Sequence, residues 1–427
     1  MIWTKVDKSR CALAVLTFLK LAGQSLAQEY RTPRAGEPYT GTVFGHQVEV
    51  PARDRTKATA LDLGVVWIPD GPDKKEINPF AAFFLWRNRN EGRQRFRATL
   101  VGIYDDIRFD FQPSHGPFEM LATFENLTPP FDRSEYVEGI RISSEELRWY
   151  QAYLGLGAGF RIPLSPGNQE NALEVALSYE PGYLAFDEGD ETDPGFIVPQ
   201  DTYEGRIHLR FRADALERNF IELPHAGYAT GIDAFHARRA HWEDWGPTSG
   251  PADGSSGQEW NAIRVYAVAA MPVPFAHSER HRLVTSVYGG KTRDVDRFSA
   301  FHLGGGPLTA DWEALSRPVL PAVALEEITS EAYGILNLEY RYELLFFSYL
   351  RVRGTLAQVD RVRFDDAGGT VHRVEPMNAL TLGITTGFLW HSQLELGYGY
   401  NFGVLRQREG RTEAGDGAIL LHWSKSF

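Results

Sequence analysis

Apolar and polar side chains alternate along much of this chain. The alternation is strict over residues 203–212, 332–344, 393–402 and 417–427. Successive side chains of a β-strand point to opposite faces, so each segment predicts a strand with one apolar and one polar face. The polar faces carry bulky charges of both signs. We expect the following residues to point into a wet interior: Glu204, Arg206, His208, Arg210, Glu339, Arg341, Arg351, Arg353, Gln393 and Glu395.

The length of these segments separates two kinds of β-protein. Strands of soluble proteins average five or six residues, whereas a strand that crosses a membrane at a tilt needs about ten. A hydrated lumen also accepts bulky side chains of both charges. The pattern therefore favours an all-β, single-chain, antiparallel transmembrane β-barrel in the bacterial outer membrane. The alternative is a secreted, soluble β-sandwich, whose strands also bury one face.

Such barrels favour an even number of strands, and their first and last strands must pair because lipid cannot satisfy open strand edges. We predict about sixteen strands, and fourteen remains open because the first five segments are weakly patterned. The predicted strands are 59–68, 80–89, 95–105, 117–126, 133–141, 149–163, 171–186, 203–213, 226–239, 258–272, 281–291, 331–344, 345–357, 376–389, 391–403 and 417–427.

The beginning of the chain has the pattern of an export signal. Basic residues precede a short apolar stretch, Cys11–Leu19, and Ser25 and Ala27 suit a cleavage site before Gln28. We therefore predict a signal peptide over residues 1–27, with a buried N-terminal helix as the alternative. Residues 28–58 are rich in Pro, Arg and Gly and predict an extended lead-in. The barrel would occupy residues 59–427.

The composition of the chain limits the kinds of bond, metal site and partner that we expect. Cys11, the only cysteine, lies inside the predicted signal, which excludes disulfides and cysteine-bound metals from the remaining chain. The net charge is −12, and the signal carries four basic residues and one acidic residue, so the rest is near −15 (−12 minus +3). This charge argues against nucleic acid as a partner. The sequence contains no stretch of 18 apolar residues, so we predict no transmembrane helix.

Several segments that could bind ligands have simpler explanations. The glycines at 155, 157 and 159 miss the dinucleotide-binding spacing and predict a glycine stripe on one barrel face. The acidic run 187–193 lacks the pattern of a calcium loop, and 254–257 is not a nucleophile elbow. His236 and His241 are interpreted as rim residues rather than metal ligands. We therefore predict no catalytic, cofactor or metal site, and we expect that the protein is not an enzyme.

Two motifs suggest a family. The first runs from Arg218-Asn219-Phe220 to Pro224 and Gly227, and the second is Phe301-His302-Leu303-Gly304-Gly305. They resemble the hairpin and the sixth-loop lead-in of the superfamily of outer-membrane assembly barrels, two-partner-secretion transporters and bacterial surface antigens. Residues 338–341 fit the strand pair that follows. The resemblance covers about residues 200–427 and implies a long extracellular loop that folds into the lumen.

The loop departs from the family pattern. Family members carry an R-G-F or R-G-Y tip whose arginine pairs with an aspartate on a nearby strand. Here residues 306–310 contain no arginine, and the strand carries Arg351 and Arg353 instead. We hypothesise a reversed pair, in which Asp311 or Glu313 of the loop meets one of these arginines, because pairing stabilises a confined charge. The alternative is that each charge is separately hydrated. The loop also contains Arg317, which follows the two acids.

Function follows only from the resemblance. It implies a loop-gated transport or membrane-assembly barrel; the alternatives are a passive pore with charge-based selectivity, an outer-membrane enzyme or a structural barrel. Family members carry periplasmic domains that receive clients, and residues 28–58 are too few for one. Any client role would require a separate periplasmic partner. We expect outer-membrane lipid around the barrel, and the barrel-assembly machinery to recognise Phe427 at the end of the last strand.

Overall fold

A computed structural model describes residues 36–427 except 44, 55, 73–75, 138, 166–170, 219–222, 248–256, 275, 277, 306–314, 346–347, 365–369 and 387–390. These residues form strands and turns, and none of their segments is a helix able to cross a membrane. The strands are β1 (Tyr39–Val43), β2 (His46–Val50), β3 (Lys57–Ile68), β4 (Glu76–Arg89), β5 (Gln94–Leu100), β6 (Tyr104–Phe111), β7 (Phe118–Leu127), β8 (Arg133–Val137), β9 (Ile140–Pro163), β10 (Ala172–Glu188), β11 (Phe196–Ile197), β12 (Thr202–Asp214), β13 (Gly227–Arg239), β14 (Gly246–Pro247), β15 (Glu259–Pro272), β16 (His281–Arg293), β17 (Phe301–Gly305), β18 (Val323–Leu345), β19 (Ser348–Phe364), β20 (Thr370–Pro376), β21 (Ala379–Thr386), β22 (Ser392–Arg408) and β23 (Arg411–Ser426).

Sixteen of these strands form one closed antiparallel barrel, as predicted. The ring closes where β23 pairs with β3, from Ile419 opposite Trp67 to Ser426 opposite Ala60. Closure leaves no strand edge unpaired in lipid, which is the condition for spanning a membrane with strands. The barrel strands, in order around the ring, are β3, β4, β5, β6, β7, β9, β10, β12, β13, β15, β16, β18, β19, β21, β22 and β23.

Two of the predicted strands were wrong, and their errors cancel in the count. Residues 95–105 form not one strand but the end of β5, a turn and the start of β6. Gly102 adopts a positive φ of 87° there, and its amide and that of Val101 donate to Asp105 Oδ1 at 3.1 and 3.0 Å. Residues 133–141 do not span the barrel: β8 pairs with the start of β9 as a hairpin beyond the membrane-crossing part.

The two faces of each strand differ as the alternation predicts. On β12, Tyr203 is 69% exposed toward lipid whereas Glu204 is 2% exposed in the interior. Most connections at the end that holds Ser426 are short, and the longest loops join the strands at the other end. In outer-membrane barrels short turns are periplasmic and long loops extracellular. The short strands β8, β11, β14, β17 and β20 all belong to the extracellular loops.

The segment before the barrel contains a hairpin. Strands β1 and β2 pair from Tyr39 to Val50 within the predicted lead-in. Burial raises the pKa of Tyr39, and the nearby carboxylate of Glu343 raises it further. The hairpin therefore lies near the periplasmic ends of the strands. The predicted signal peptide, residues 1–27, lies outside the described residues.

The glycine stripe of β9 lies on the lumen face and lets neighbouring groups approach the backbone. A Cβ on Gly159 would lie 2.3 Å from the Val175 carbonyl oxygen, and backbone of a paired strand cannot move aside. We expect Gly159→Val to lower the free energy of unfolding by about 1–3 kcal/mol, the usual cost of overpacking. The measurement is urea unfolding in lipid vesicles. Gly334→Val on β18 is the control, because nothing lies within 4 Å of its Cβ position; equal effects would contradict the explanation.

Candidate functional site: a charged lumen and an infolded loop

One wall of the lumen carries a carboxylate surrounded by arginines, here called the Glu339 cluster: Glu339, Arg341, Arg351, Arg353 and Glu395. Glu339 Oε1 accepts from Arg341 Nε at 2.5 Å, and Glu339 Oε2 contacts Arg351 Nη2 at 3.1 Å and Arg353 Nη2 at 2.6 Å. Arg351 also reaches Glu395 at 3.4 Å. All five side chains are buried on the inner faces of β18, β19 and β22.

The reversed loop pair remains a prediction. Asp311 and Glu313 lie outside the described residues. Arg351 and Arg353, their hypothesised partners, contact the wall carboxylate Glu339. Arg317 is described and exposed.

A second polar group lies on β10, β12 and β13. His208 contacts Glu180 Oε1 through Nδ1 and Asp233 Oδ1 through Nε2, both at 2.9 Å. Arg206 Nη2 donates to Glu180 at 2.8 Å, and the His208 ring stacks on Phe235 with centroids 4.2 Å apart. Both ring nitrogens of His208 are thus engaged by carboxylates. The arrangement fixes the wall rather than presenting a proton-transfer group to a substrate.

A Ser, a His and an Asp meet where the barrel closes. His422 Nε2 lies 3.0 Å from Asp62 Oδ1 and 3.2 Å from Ser424 Oγ, and all three side chains are buried. A hydrolytic triad places its serine and aspartate on opposite ring nitrogens, whereas here both contact the same one. The group therefore links β23 to β3. Sequence reasoning missed it because Asp62 and His422 are 360 residues apart.

The long loop between β16 and β18 is tied down where it leaves the wall. Asp296 accepts from Arg239 Nη1 at 2.5 Å, and Arg239 also donates to Glu204 at 2.9 Å. Phe298 packs in an aromatic cluster with Trp149 and Phe186, with centroid distances of 5.3 and 4.7 Å. These contacts hold the start of the loop against the extracellular mouth.

The returning end of the loop is also fixed. Asn401 Nδ2 donates to the Pro321 carbonyl at 3.0 Å, and Arg406 Nη2 donates to the Ala322 carbonyl at 3.0 Å. The same arginine contacts Glu327 Oε1 at 2.5 Å and Asp416 Oδ2 at 2.7 Å. Between the two ends, Leu315 lines a lumen cavity together with arginines of β12. The loop therefore reaches inward from the extracellular end.

The residues of the first motif contact the rest of the barrel mostly through backbone atoms. The Pro224 carbonyl accepts from Arg341 Nη1 at 3.0 Å, which joins the first motif to the Glu339 cluster. Gly227 has φ +96°, and a Cβ there would lie 2.2 Å from the Ala215 carbonyl oxygen.

The second motif forms β17, which contains Gly304. Phe301 packs edge-on against Tyr333 at 5.0 Å, and Gly305 has φ +119°. Phe427 donates its amide to Thr59 at 2.8 Å, and its side chain is 75% exposed. Among the described residues, no group of three or more His, Cys, Asp or Glu side chains could hold a metal ion.

The comparisons with known proteins concern the fold. No protein-family model and no curated protein matches the sequence. Similar solved structures include BamA from Haemophilus ducreyi lacking POTRA domains 1–3, with 11% identity and a TM-score of 0.49 over 97% of this chain and 79% of that chain. CdiB from Escherichia coli has 13% identity and a TM-score of 0.48 over 93% of this chain and 68% of that chain. CdiB from Acinetobacter baumannii has 10% identity and a TM-score of 0.47 over 92% of this chain and 64% of that chain. Likeness at this identity describes architecture and not substrate.

Proposed function

We propose that this outer-membrane barrel is a loop-gated transport or membrane-assembly protein, and that residues 294–322 form the gate. The observation that carries the proposal is the position of Leu315 in the lumen, between two loop ends that are bonded to the wall. Leu315 occupies lumen space that a substrate would need, and the ends of the loop are fixed to the wall. Outer-membrane lipid surrounds the barrel; a separate periplasmic partner and the assembly machinery belong to the proposal.

The contacts suggest which part of the loop moves. Its ends are held by buried, charge-assisted hydrogen bonds, which are the stronger kind. Leu315, by contrast, is partly buried against the hydrophobic cluster that contains Tyr266, and an apolar side chain makes no hydrogen bond or ion pair there. Withdrawal of Leu315 would therefore cost less than release of the loop ends.

The test is conductance in a planar bilayer. Residues 306–318 are replaced by a short Gly-Ser linker, which keeps β17 and the anchors at Pro321 and Ala322. We expect a closed wild type and a large, steady conductance in the variant. Shortening residues 248–256, which connect β14 to β15 in the sequence, is the control and should leave the barrel closed.

The alternatives give different results. A passive pore would conduct steadily in the wild type and change little when the loop is shortened. A structural barrel would conduct in neither form, and an enzyme would turn over lipid without conductance. Any of these results would contradict loop gating.

A further inference from the structure

A small cavity lies in the periplasmic half of the lumen, between the inner faces of β5, β6, β10 and β12. Its volume is about 50 Å³, and Tyr266 and Leu315 provide part of its wall. The cavity is apart from the Glu339 cluster and from the loop anchors. We propose that it binds a tetrahedral oxyanion, namely a phosphate or sulfate group.

The charges lining the cavity are predominantly positive. Among the described residues that line it, three carboxylates, Asp110, Glu174 and Asp214, face six arginines. The arginines are Arg95, Arg97, Arg108, Arg210, Arg212 and Arg218.

The carboxylates are shared rather than matched one to one. Asp110 and Glu174 each contact both Arg95 and Arg108, at 2.6–3.3 Å. Arg218 contacts Asp214 at 3.1 Å.

Carboxylates just beyond the lining also contact these arginines. Arg97 contacts Asp106 at 2.6 Å. Arg210 and Arg212 share one carboxylate, Asp233, at the longer distances of 3.5 and 3.3 Å, and that carboxylate also contacts His208. Among the described residues, neither of these two arginines of β12 has a carboxylate to itself.

Arg95 and Arg212 both line the cavity. Among the described residues, each contacts only carboxylates that another arginine also contacts: Asp110 and Glu174 for Arg95, and Asp233 for Arg212. An oxyanion would give their guanidinium groups a further acceptor. The planar fork of a guanidinium matches the oxygens of phosphate or sulfate. At about 10–15 Å³ per water, the cavity has room for roughly four water-sized atoms, the size of such a group.

The surroundings indicate the direction of entry. Ala172, at the periplasmic start of β10, and Arg218, beyond the periplasmic end of β12, line the cavity. Leu315 belongs to the loop that descends from the extracellular end. The anion would therefore enter from the periplasmic side. This inference does not rest on loop gating, because binding can be measured whether or not the lumen opens.

The test is isothermal titration calorimetry of the full chain in nanodiscs with inorganic phosphate or sulfate, at an ionic strength held constant with chloride. We expect saturable binding at one site. Arg95→Gln combined with Arg212→Gln should weaken it by at least about tenfold, since charge-assisted hydrogen bonds are lost. Arg212→Lys, which keeps the charge but not the planar fork, should weaken it less.

Arg264→Gln is the matched control. Arg264 lies on the lumen face of β15 near Phe235 but does not line the cavity, and its removal should leave the affinity unchanged. Circular dichroism checks that each variant is folded. The absence of saturable binding in the wild type would overturn the proposal. An equal loss in Arg264→Gln would also overturn it, because general lumen charge would then explain the binding.

Discussion

Replacing Glu339 by Gln is expected to lower the free energy of unfolding of the barrel by about 3–5 kcal/mol, the usual cost of breaking a buried ion pair. Glu339 is the carboxylate that Arg341, Arg351 and Arg353 all contact. Without its charge, three buried guanidinium groups lose the carboxylate that they share. The measurement is urea unfolding in lipid vesicles, followed by tryptophan fluorescence.

Two further variants make this prediction specific. Glu413→Gln is the control, because Glu413 is exposed and its contact with Arg408 is long, at 3.7 Å. Loss of its charge should cost less than about 0.5 kcal/mol. Combining Glu339→Gln with Arg351→Met should recover part of the loss, since one unpaired charge is removed. If the double variant is less stable than Glu339→Gln alone, charge repulsion is not the cause.

Arg406→Met is expected to have the second large effect, on both stability and conductance. Arg406 is fully buried, and it links Glu327 and Asp416 to the Ala322 carbonyl at the returning end of the loop. Its loss leaves two carboxylates and a carbonyl without this donor, at a cost of about 3–5 kcal/mol. With one anchor gone, the loop should leave the lumen more often, and channel openings in a planar bilayer should become more frequent.

Arg408→Met on the same strand face separates the anchor from a general charge effect. Arg408 is partly exposed and contacts Asp70 at 3.1 Å, so its loss should cost about 1 kcal/mol or less. Its conductance should match that of the wild type. If Arg406→Met destabilises the barrel but leaves it closed, the loop end is held by other contacts, and the proposed gate loses one of its supports.

The sequence by itself determined the class of the fold and the faces of the strands, whereas it left the number of strands open between fourteen and sixteen. The reason is local: side chains of a strand alternate with a period of two, and lipid requires the outward face to be apolar. Tyr203 and Glu204 could therefore be assigned to opposite faces without knowledge of any other strand. The alternation was weaker near Gly102 and Arg133, and there the strand bounds were wrong. The turn at Gly102 depends on hydrogen bonds to Asp105, which periodicity does not reveal.

Only the tertiary structure decided which inward-facing groups meet. Arg353 lies opposite Glu339 in a hairpin, so this pair follows from the register of neighbouring strands. Arg95 and Glu174 stand on strands that are not neighbours, and Asp62 reaches His422 only because the ring closes. Such contacts depend on the diameter of the barrel and on the length of each side chain. A pattern of period two records which face a residue occupies, but not what lies across the lumen from it.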